Sequence, residues 1–516
     1  MSGVLGFLTS PAFSARVQSV MSTHHVPGMA VALLDHGHIA SAGFGLSSID
    51  PPRNCTPDTL FDIASSSKSM TVGALGVLLT GELHPTITFQ TPVREILGDD
   101  FIMAQKEYSD QITIDDIISH RTGLTAHDLS YFGPNATGPD RPDSAISIVR
   151  NLRNLPLTAA LRSKFYYNNI MYTVASHVVE VLSSTSFKNF LETTFFKPLD
   201  MRHTSLQPSS AISKGFKRHM ASGYVWRKRE KTYSFGFPPV DTPEGQGAGS
   251  IITSANDYIK WVKAILYREQ PITAKVYDEF LRPRTCQDAD ALKMESCETM
   301  YAGGFDVYKY RDHQIVSHAG SVSGFGSFHF FVPDLEFAGV FTGNVGNADE
   351  AAQKLANELI DYILDDKKAT KSVEGDEGDG RKRLAAQRNV YNRDILETQR
   401  SNLQSQVERS KGHPQTKPLA DYVGLYKNTG YHDMEVTVKK GRLYIDAGDR
   451  SFGTMFTFHH LANNTDYAVS MRSSRRLGSE NLGFVHGQFE FGEKCTSRMG
   501  LQLDDDYGKL IWFDRI

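Results

Sequence analysis

The sequence predicts an α+β fold, one antiparallel sheet flanked by helices with an all-helical lobe, followed by a small all-β, barrel-like unit. Three observations carry this. Strand-like segments stand at both ends of the first 365 residues, with helical segments between them. From residue 366 to about 418 the composition turns to mixed charge with glycine, which reads as a partly disordered linker. From Leu419 onward short strand-like runs return. At 516 residues the chain is too long for one ordinary core. The expected division is 1–365, 366–418 and 419–516.

In order, residues 12–24 read as a helix, and Val26-Pro27-Gly28 turns the chain into an alternating apolar strand, Met29 to Asp35. His36-Gly37-His38 is a tight turn, and Ile39 to Gly45 returns as the second strand of a hairpin. Val72 to Leu79 is apolar all round and reads as a buried helix. Thr113 to His120 is a capped helical segment ending at Thr122-Gly123. Residues 126–144, rich in Pro and Gly with Tyr131 and Phe132, form a long loop of the kind that lines sites. Tyr172 to Ser183 and Tyr258 to Tyr267 are helices, the second capped by Ser254 to Asp257 after the glycine-rich turn Pro243 to Gly249. Strands follow at Phe305 to Tyr310, Gln314 to His318, Ser327 to Val332 and Phe337 to Thr342, then a helix from Ala351 to Leu364. In the tail the expected strands are Met434 to Val438, Leu443 to Asp446, Phe452 to His459, Tyr467 to Met471, Phe484 to Phe491 and Leu510 to Phe513.

Composition narrows the function. Lys+Arg of 55 against Asp+Glu of 59 gives a net charge of −4, with no basic surplus for nucleic acid or an anionic membrane. No apolar run approaches the roughly 18 residues that span a bilayer. Met1 to Leu8 lacks a basic start and does not read as a signal peptide, so a cytoplasmic protein is expected. The cysteines Cys55, Cys286, Cys297 and Cys495 are scattered without metal-ligand spacing. Cys286 and Cys297 are near enough in sequence to pair, but free thiols in a reducing compartment are the expectation.

The chemistry centres on Ser65 and Lys68. Three residues apart on a helix, two side chains share one side about a turn apart. A serine hydroxyl becomes a nucleophile when a neighbouring base takes its proton, and a desolvated amine is such a base. A helix start also points N–H groups outward, where an oxyanion can form. On the S-x-x-K spacing alone, a polar helix start with a solvated lysine is the commoner case. Against that, Lys68 is the one lysine with a serine three residues before it, and the helix that follows reads as buried.

A nucleophile of this kind needs a proton relay and a donor along a strand edge. Tyr167-Asn168-Asn169 supplies Y-x-N at a helix start, with the Tyr167 phenol as acid and base and Asn169 as a substrate contact. His318-Ala319-Gly320-Ser321 lies at a strand end. Gly320 would let substrate lie against the backbone, and the N–H of Ser321 would complete an oxyanion hole with that of Ser65. Singly, Tyr-x-Asn is a common helix cap and a histidine at a strand end is commonly structural.

With these residues the chain resembles the serine β-lactamase and penicillin-binding-protein superfamily, in its class C-like branch. The likeness extends to Val26-Pro27-Gly28, Thr59-Leu60-Phe61, Ser119 to Leu124, Pro198 to Met201, Gly247 to Ser250 and Gly343-Asn344, about residues 12–365. Tyr422 to Tyr426 looks like the start of the lipocalin-like C-terminal domain that some relatives carry. The resemblance implies a β-lactamase/transpeptidase-like fold and a serine hydrolase working through an acyl-enzyme, without metal or organic cofactor. The implied substrates are small esters, thioesters or amides. It equally accommodates an acyltransferase or cyclising enzyme of natural-product biosynthesis, a D-amino-acid-specific peptidase or a β-lactamase. A non-catalytic scaffold of the same fold is the reading from another class, and the retained serine and lysine speak against it. Two departures matter. His318 stands where β-lactam-hydrolysing relatives carry lysine, which favours uncharged acyl substrates. Tyr166-Tyr167-Asn168-Asn169 also fits Y-x-N in two registers; Tyr172, matching a later family tyrosine, selects Tyr167 and Asn169.

Overall fold

The computed structural model describes residues 6, 8, 10–138, 141–236, 240–288, 297–369, 402–407, 415–474, 481–493 and 495–516. The first helix, α1 (Pro11–Thr23), is capped by the Ser10 side chain, which accepts from the Phe13 N–H. Strands β1 (Gly28–Asp35) and β2 (His38–Ile49) pair as a hairpin whose last rung is Asp35 with His38. The two turn residues, His36 and Gly37, both have positive φ, as the twist of a two-residue hairpin requires.

β3 (Pro52–Asn54), β4 (Thr285–Cys286), β5 (Thr299–Tyr301), β6 (Asp306–Tyr310), β7 (His313–Val322), β8 (Phe325–Val332) and β9 (Phe337–Gly343) complete a nine-stranded sheet. Its order is β3-β2-β1-β9-β8-β7-β6-β5-β4, antiparallel throughout. Both faces are covered. On β1, Met29, Val31 and Leu33 pack into one core with α1 and α5 (Ala348–Ala369), while Ala30, Ala32 and Leu34 face the other. That second core holds α2 (Lys68–Thr80), α3 (Ile170–Ser183) and α4 (Ala255–Tyr267). Eleven of the thirteen residues of α2 are buried, as its sequence predicts.

The tail closes into an eight-stranded barrel: β10 (Gly424–Lys427), β11 (Met434–Lys439), β12 (Arg442–Ala447), β13 (Thr454–Ala462), β14 (Asp466–Ser473), β15 (Asn481–Phe491), β16 (Thr496–Leu501) and β17 (Ile511–Arg515). β10 pairs β17 to shut it. Its core is filled by its own side chains, among them Tyr426, Phe456, Phe458, Tyr467 and Phe489. β10 and β16 are the barrel strands the sequence reading lacked, as it lacked the short β3, β4 and β5 of the sheet. Most of the charged stretch assigned to 366–418 lies outside the described residues; within it, α5 runs on to Ala369.

The thiol expectation is corrected at one pair. Cys286 and Cys297 form a disulfide, with Cα atoms 5.8 Å apart. Cys286 sits opposite Met300 in the β4–β5 ladder, and this hairpin brings Cys297, just before β5, within bonding reach. Cys55 and Cys495 are free. No helix of the described residues is long and apolar enough to cross a membrane.

Candidate active site

Phe61-Asp62 forms a short strand against Ile251–Thr253, and the chain then enters a 3-10 turn, Ala64–Ser67, that runs straight into α2. Ser65 is thus on a tight turn feeding the helix rather than on the helix itself. Ala64 is held at φ 46°, a left-handed conformation that a residue with a Cβ adopts only under constraint. The constraint is visible: the Ala64 N–H donates to Asp62 Oδ1 at 2.7 Å, and Ile63 N–H to the Ile251 carbonyl at 3.1 Å. Desolvation pushes the Asp62 carboxyl up to about 6.

The three serines of the turn separate by environment. Ser66 Oγ lies 2.9 Å from Ser327 Oγ, and Ser67 Oγ accepts from Ile251 N–H; both are buried. Ser65 is half-buried, with Oγ 3.0 Å from Lys68 Nζ. Lys68 is fully enclosed, at 0% exposure. Its Nζ also donates to Asn169 Oδ1 at 2.8 Å and to the Ala248 carbonyl at 2.9 Å, both neutral acceptors. It stands 4.8 Å from the centre of the Tyr167 ring and 5.2 Å from that of Tyr172.

The structure separates the tandem motif as well. Asn168 is buried, its Oδ1 accepting from Met171 N–H at 2.9 Å and its amide donating to the Thr125 carbonyl, so it caps and braces α3. Asn169 faces Lys68. Tyr167 lies beside Lys68 and over His120, ring centres 4.3 Å apart, whereas Tyr166 feels Asp506 and Asp504 of the barrel. Those charges, behind the larger effect of burial, raise its phenol.

His318 and Gly320 sit on β7 beside the Ser65 turn. β6 pairs β7 only as far as Ser317, so among the described strands residues 318–322 have a ladder on one side, against β8. This open stretch is a strand edge beside the Ser65 turn. Gly320 is required for the approach: a Cβ there would meet the Ile63 carbonyl oxygen at 2.1 Å and Ser66 N at 3.0 Å. Its hydrogen is spent on packing the turn against the strand, a role the sequence reading did not assign. Ser321 is exposed, its Oγ donating to the Gly346 carbonyl at 2.9 Å.

The His318 ring is 1% exposed and turned inward. Nδ1 lies 2.6 Å from the Ala319 carbonyl, which can only accept, so Nδ1 carries a proton. Nε2 lies 3.1 Å from the Tyr301 hydroxyl, which donates to it in the neutral ring. Tyr301 is also 3.4 Å from Tyr172 OH, and Tyr172 donates to the Ile118 carbonyl at 2.6 Å. Burial raises both phenols far above their ordinary value.

Sequence reasoning missed Tyr301, Asp128 and Glu244. Asp128 Oδ1 accepts from Tyr131 OH at 3.1 Å and faces the Asn169 amide at 3.5 Å; desolvation pushes it up to about 6, opposed by both contacts. Glu244, on the turn that ends in Ala248, is pushed up to about 8 by burial. The signals were faint. Tyr301 precedes the Gly303-Gly304 pair, and Gly304, at φ 74°, packs on the backbone of Lys68. Among the described residues, the one grouping of three metal-type donors is Cys286, Asp288 and Cys297, and the disulfide uses its two sulfurs.

Comparison with known proteins places these features. The family described as Beta-lactamase matches residues 13–361, and a domain of unknown function (DUF3471) matches residues 408–515. The chain is 30% identical over 452 residues to the unguisins hydrolase of Aspergillus campestris, covering 86% of this chain and 81% of that protein. It is 28% identical to the unguisins hydrolase of Aspergillus violaceofuscus, over 88% of this chain and 81% of that one. Among solved structures, the octameric penicillin-binding protein homologue of Pyrococcus abyssi superposes with a TM-score of 0.58 at 16% identity, over 98% of this chain and 99% of its own. The class C β-lactamase of Rhodobacter sphaeroides superposes with 0.53 at 20% identity, over 69% of this chain and 100% of its own. The D-amino acid amidase of Ochrobactrum anthropi gives 0.52 at 18%, over 70% and 100%.

Proposed function

The chain belongs to the β-lactamase family, and from that premise we propose that it is a serine acyl hydrolase forming an acyl-enzyme on Ser65. The observation that carries this is the 3.0 Å contact between Ser65 Oγ and an amine wholly enclosed among hydroxyl, amide and carbonyl acceptors. Enclosure disfavours the charged form of an amine, so Lys68 can act as a base.

In this reading Lys68 takes the Ser65 proton as Oγ bonds to the substrate carbonyl carbon. The N–H groups of Ser65 and Ser321 hold the oxyanion. Tyr167, beside Lys68, passes the proton to the leaving oxygen, sulfur or nitrogen as its bond to carbon breaks. Water then attacks the acyl-enzyme with the same groups as base and acid, which frees the carboxylic acid and returns the proton to Ser65. Asn169 orients Lys68 and contacts substrate.

His318, with both ring nitrogens committed inside the protein, offers no cation for a substrate carboxylate. Uncharged small esters, thioesters or amides are therefore the substrate class proposed. The Aspergillus relatives are named as hydrolases of unguisins, which is in keeping with a hydrolase reading. A cytoplasmic setting is proposed against the Cys286–Cys297 disulfide, which points to an oxidising one; recovering that pair reduced in protein quenched from cells would support it, and recovering it oxidised would overturn it.

The test is the mass of the intact protein after brief exposure to ester, thioester and amide panels. An adduct on the Ser65 peptide, absent from Ser65→Ala, is expected. Turnover persisting in Ser65→Ala overturns the assignment.

A further inference from the structure

Two loops supply what surrounds Lys68. The turn 243–249 presents the Ala248 carbonyl to Nζ. The loop after Gly123 presents Asp128, which faces the Asn169 amide nitrogen and so keeps the amide oxygen turned to Lys68. Each loop is gripped by the C-terminal barrel, one or two residues from the group it presents or through the same short turn.

At the first loop, the Ser451 hydroxyl donates to Glu244 Oε1 at 2.5 Å. Glu244 is 1% exposed, and its Oε2 has no hydrogen-bond partner among the described residues. Leaving a second oxygen of so enclosed a carboxyl without a donor is costly, which makes the barrel hydroxyl on Oε1 matter. Thr71 and Thr173 fix the Gly247 and Glu244 carbonyls of the same turn, at 2.7 and 2.8 Å, so Ser451 adds to an existing frame rather than replacing it.

At the second loop, Asp504 Oδ2 accepts from the His127 N–H at 2.8 Å, and Asp504 Oδ1 accepts from Tyr507 N–H at 2.9 Å. The His127 ring donates from Nε2 to the Pro156 carbonyl at 3.0 Å, so its Nδ1 accepts from the barrel's Tyr431 hydroxyl at 2.6 Å. His127 is held at φ 47° immediately before Asp128, a strained conformation that sets where Asp128 begins. A little further on, Ser451 N–H donates to the Tyr131 carbonyl at 3.2 Å, Gly133 N–H donates to the Asp449 carbonyl at 2.9 Å, and Tyr131 itself donates to Asp128.

An interface that only held two folded units together would be served by apolar contact and a wet polar rim. Here the buried polar links converge on the two loops that face Lys68. We propose that the barrel is a working part of the site: Ser451 through Glu244, and Asp504 through His127, are positioning residues for the Ala248 carbonyl and the Asp128 carboxylate around Lys68. The inference rests on the reading of Ser65 and Lys68 as nucleophile and base. It assigns the barrel a role in acylation that requires no ligand inside it, in keeping with a core filled by its own side chains.

The experiment uses the full chain, p-nitrophenyl acetate as substrate and a fluorophosphonate as active-serine probe. Ser451→Ala and Asp504→Ala are expected to lower kcat about tenfold with KM within twofold, because small misplacements of a base are costly in rate. Probe labelling should slow in parallel, and the limb of the kcat–pH profile that reports the base should move. Asp504→Asn, which keeps an oxygen for the His127 N–H, should recover most of the rate. Glu435→Ala, an exposed residue of β11, should match wild type. Wild-type kcat, labelling and pH profile in both alanine variants overturn the inference, as does a loss expressed in KM alone. If Asp504→Ala fails to fold, Ser451→Ala, which removes one hydroxyl, decides by itself. A wild-type protein inert to the probe overturns the proposed function and this inference together; equal labelling of wild type and variants overturns this inference only.

Discussion

Adjacent residues in this site have opposite fates. Tyr167 lies against Lys68 and His120, while Tyr166 turns toward Asp504 and Asp506. Tyr167→Phe is expected to lower acylation and deacylation together by about 10² or more, since in the proposed mechanism one phenol passes the proton both ways. Tyr166→Phe should stay within a few-fold. Pre-steady-state bursts with p-nitrophenyl acetate separate the two steps, and exchanged phenotypes would reverse the register. Local pattern could propose this register only through Tyr172, because Y-x-N fits twice; what decides it is which asparagine the helix uses as its own brace. Glu244 gives a second residue-level outcome. Its folded pKa of about 8 lies above the 4.5 of an ordinary glutamate. Its contribution to stability is therefore complete below about 4.5 and lost as pH rises through about 8. Asp62 and Asp128, raised only to about 6, lose theirs earlier. Between pH 6.5 and 9 the Tm of wild type should fall, and that of Glu244→Gln should fall less; parallel curves would remove Glu244 from the account.

At the scale of elements, the site is a tight turn pressed against an open strand edge. The sequence points to Ser65 as the proposed nucleophile, to the buried helix behind it and to the strand that faces it. It does not show that Ser65 precedes the helix on a 3-10 turn, because the left-handed Ala64 is imposed by Asp62 and by the Ile251 strand nearly two hundred residues away. Gly320 is similar: its reason lies in the Ile63 carbonyl 2.1 Å from where a Cβ would stand. Gly320→Ala should thus cost about 1–3 kcal/mol of stability, as overpacked sites do, and lower kcat by shifting Ser65. Denaturant unfolding with parallel kinetics checks both, and a stable, fully active variant would show the strand can yield. His318 teaches the reverse lesson, for its place was legible but its orientation was not. With Nε2 toward Tyr301 and Nδ1 toward Ala319, both ring nitrogens are directed into the protein rather than at the strand edge. Short p-nitrophenyl esters should accordingly be hydrolysed well and penicillins poorly, with His318→Lys moving the ratio of kcat/KM toward carboxylate-bearing substrates. Wild-type turnover of penicillins above that of esters would defeat this argument.

At the scale of the molecule, alternation of apolar residues was enough to divide the chain into a sheet-and-helix unit and a β unit. Two barrel strands escaped it: Gly424–Lys427 is only four residues long, and Thr496–Leu501 carries an arginine, a glycine and no clean alternation. The docking of the barrel escaped it entirely, since nothing in Ser451 or Asp504 marks a partner 207 or 377 residues earlier. That docking is substantial in kind. Phe132 stacks on His432 at 4.1 Å, and the guanidinium groups of Arg141, on its own loop, and Arg450, on the barrel, stand 3.7 and 4.4 Å from its ring centre. Arg450, 2% exposed, donates in turn to the Tyr431 and Asp433 carbonyls. The desolvated cation–π contact with Arg450 contributes about 2 kcal/mol, more than an exposed ion pair does. The connecting stretch 367–415 is, by composition, mixed in charge and rich in polar residues. Limited proteolysis should therefore cut first within 367–415, as such composition buries little apolar surface. The two pieces should nonetheless elute together on size exclusion and keep esterase activity, because the interface and not the connection holds the barrel on the site. Phe132→Ala should let the cleaved pieces separate and lose activity with the barrel. Pieces of the wild type that part on cleavage while the larger one stays fully active would show the barrel to be a passenger.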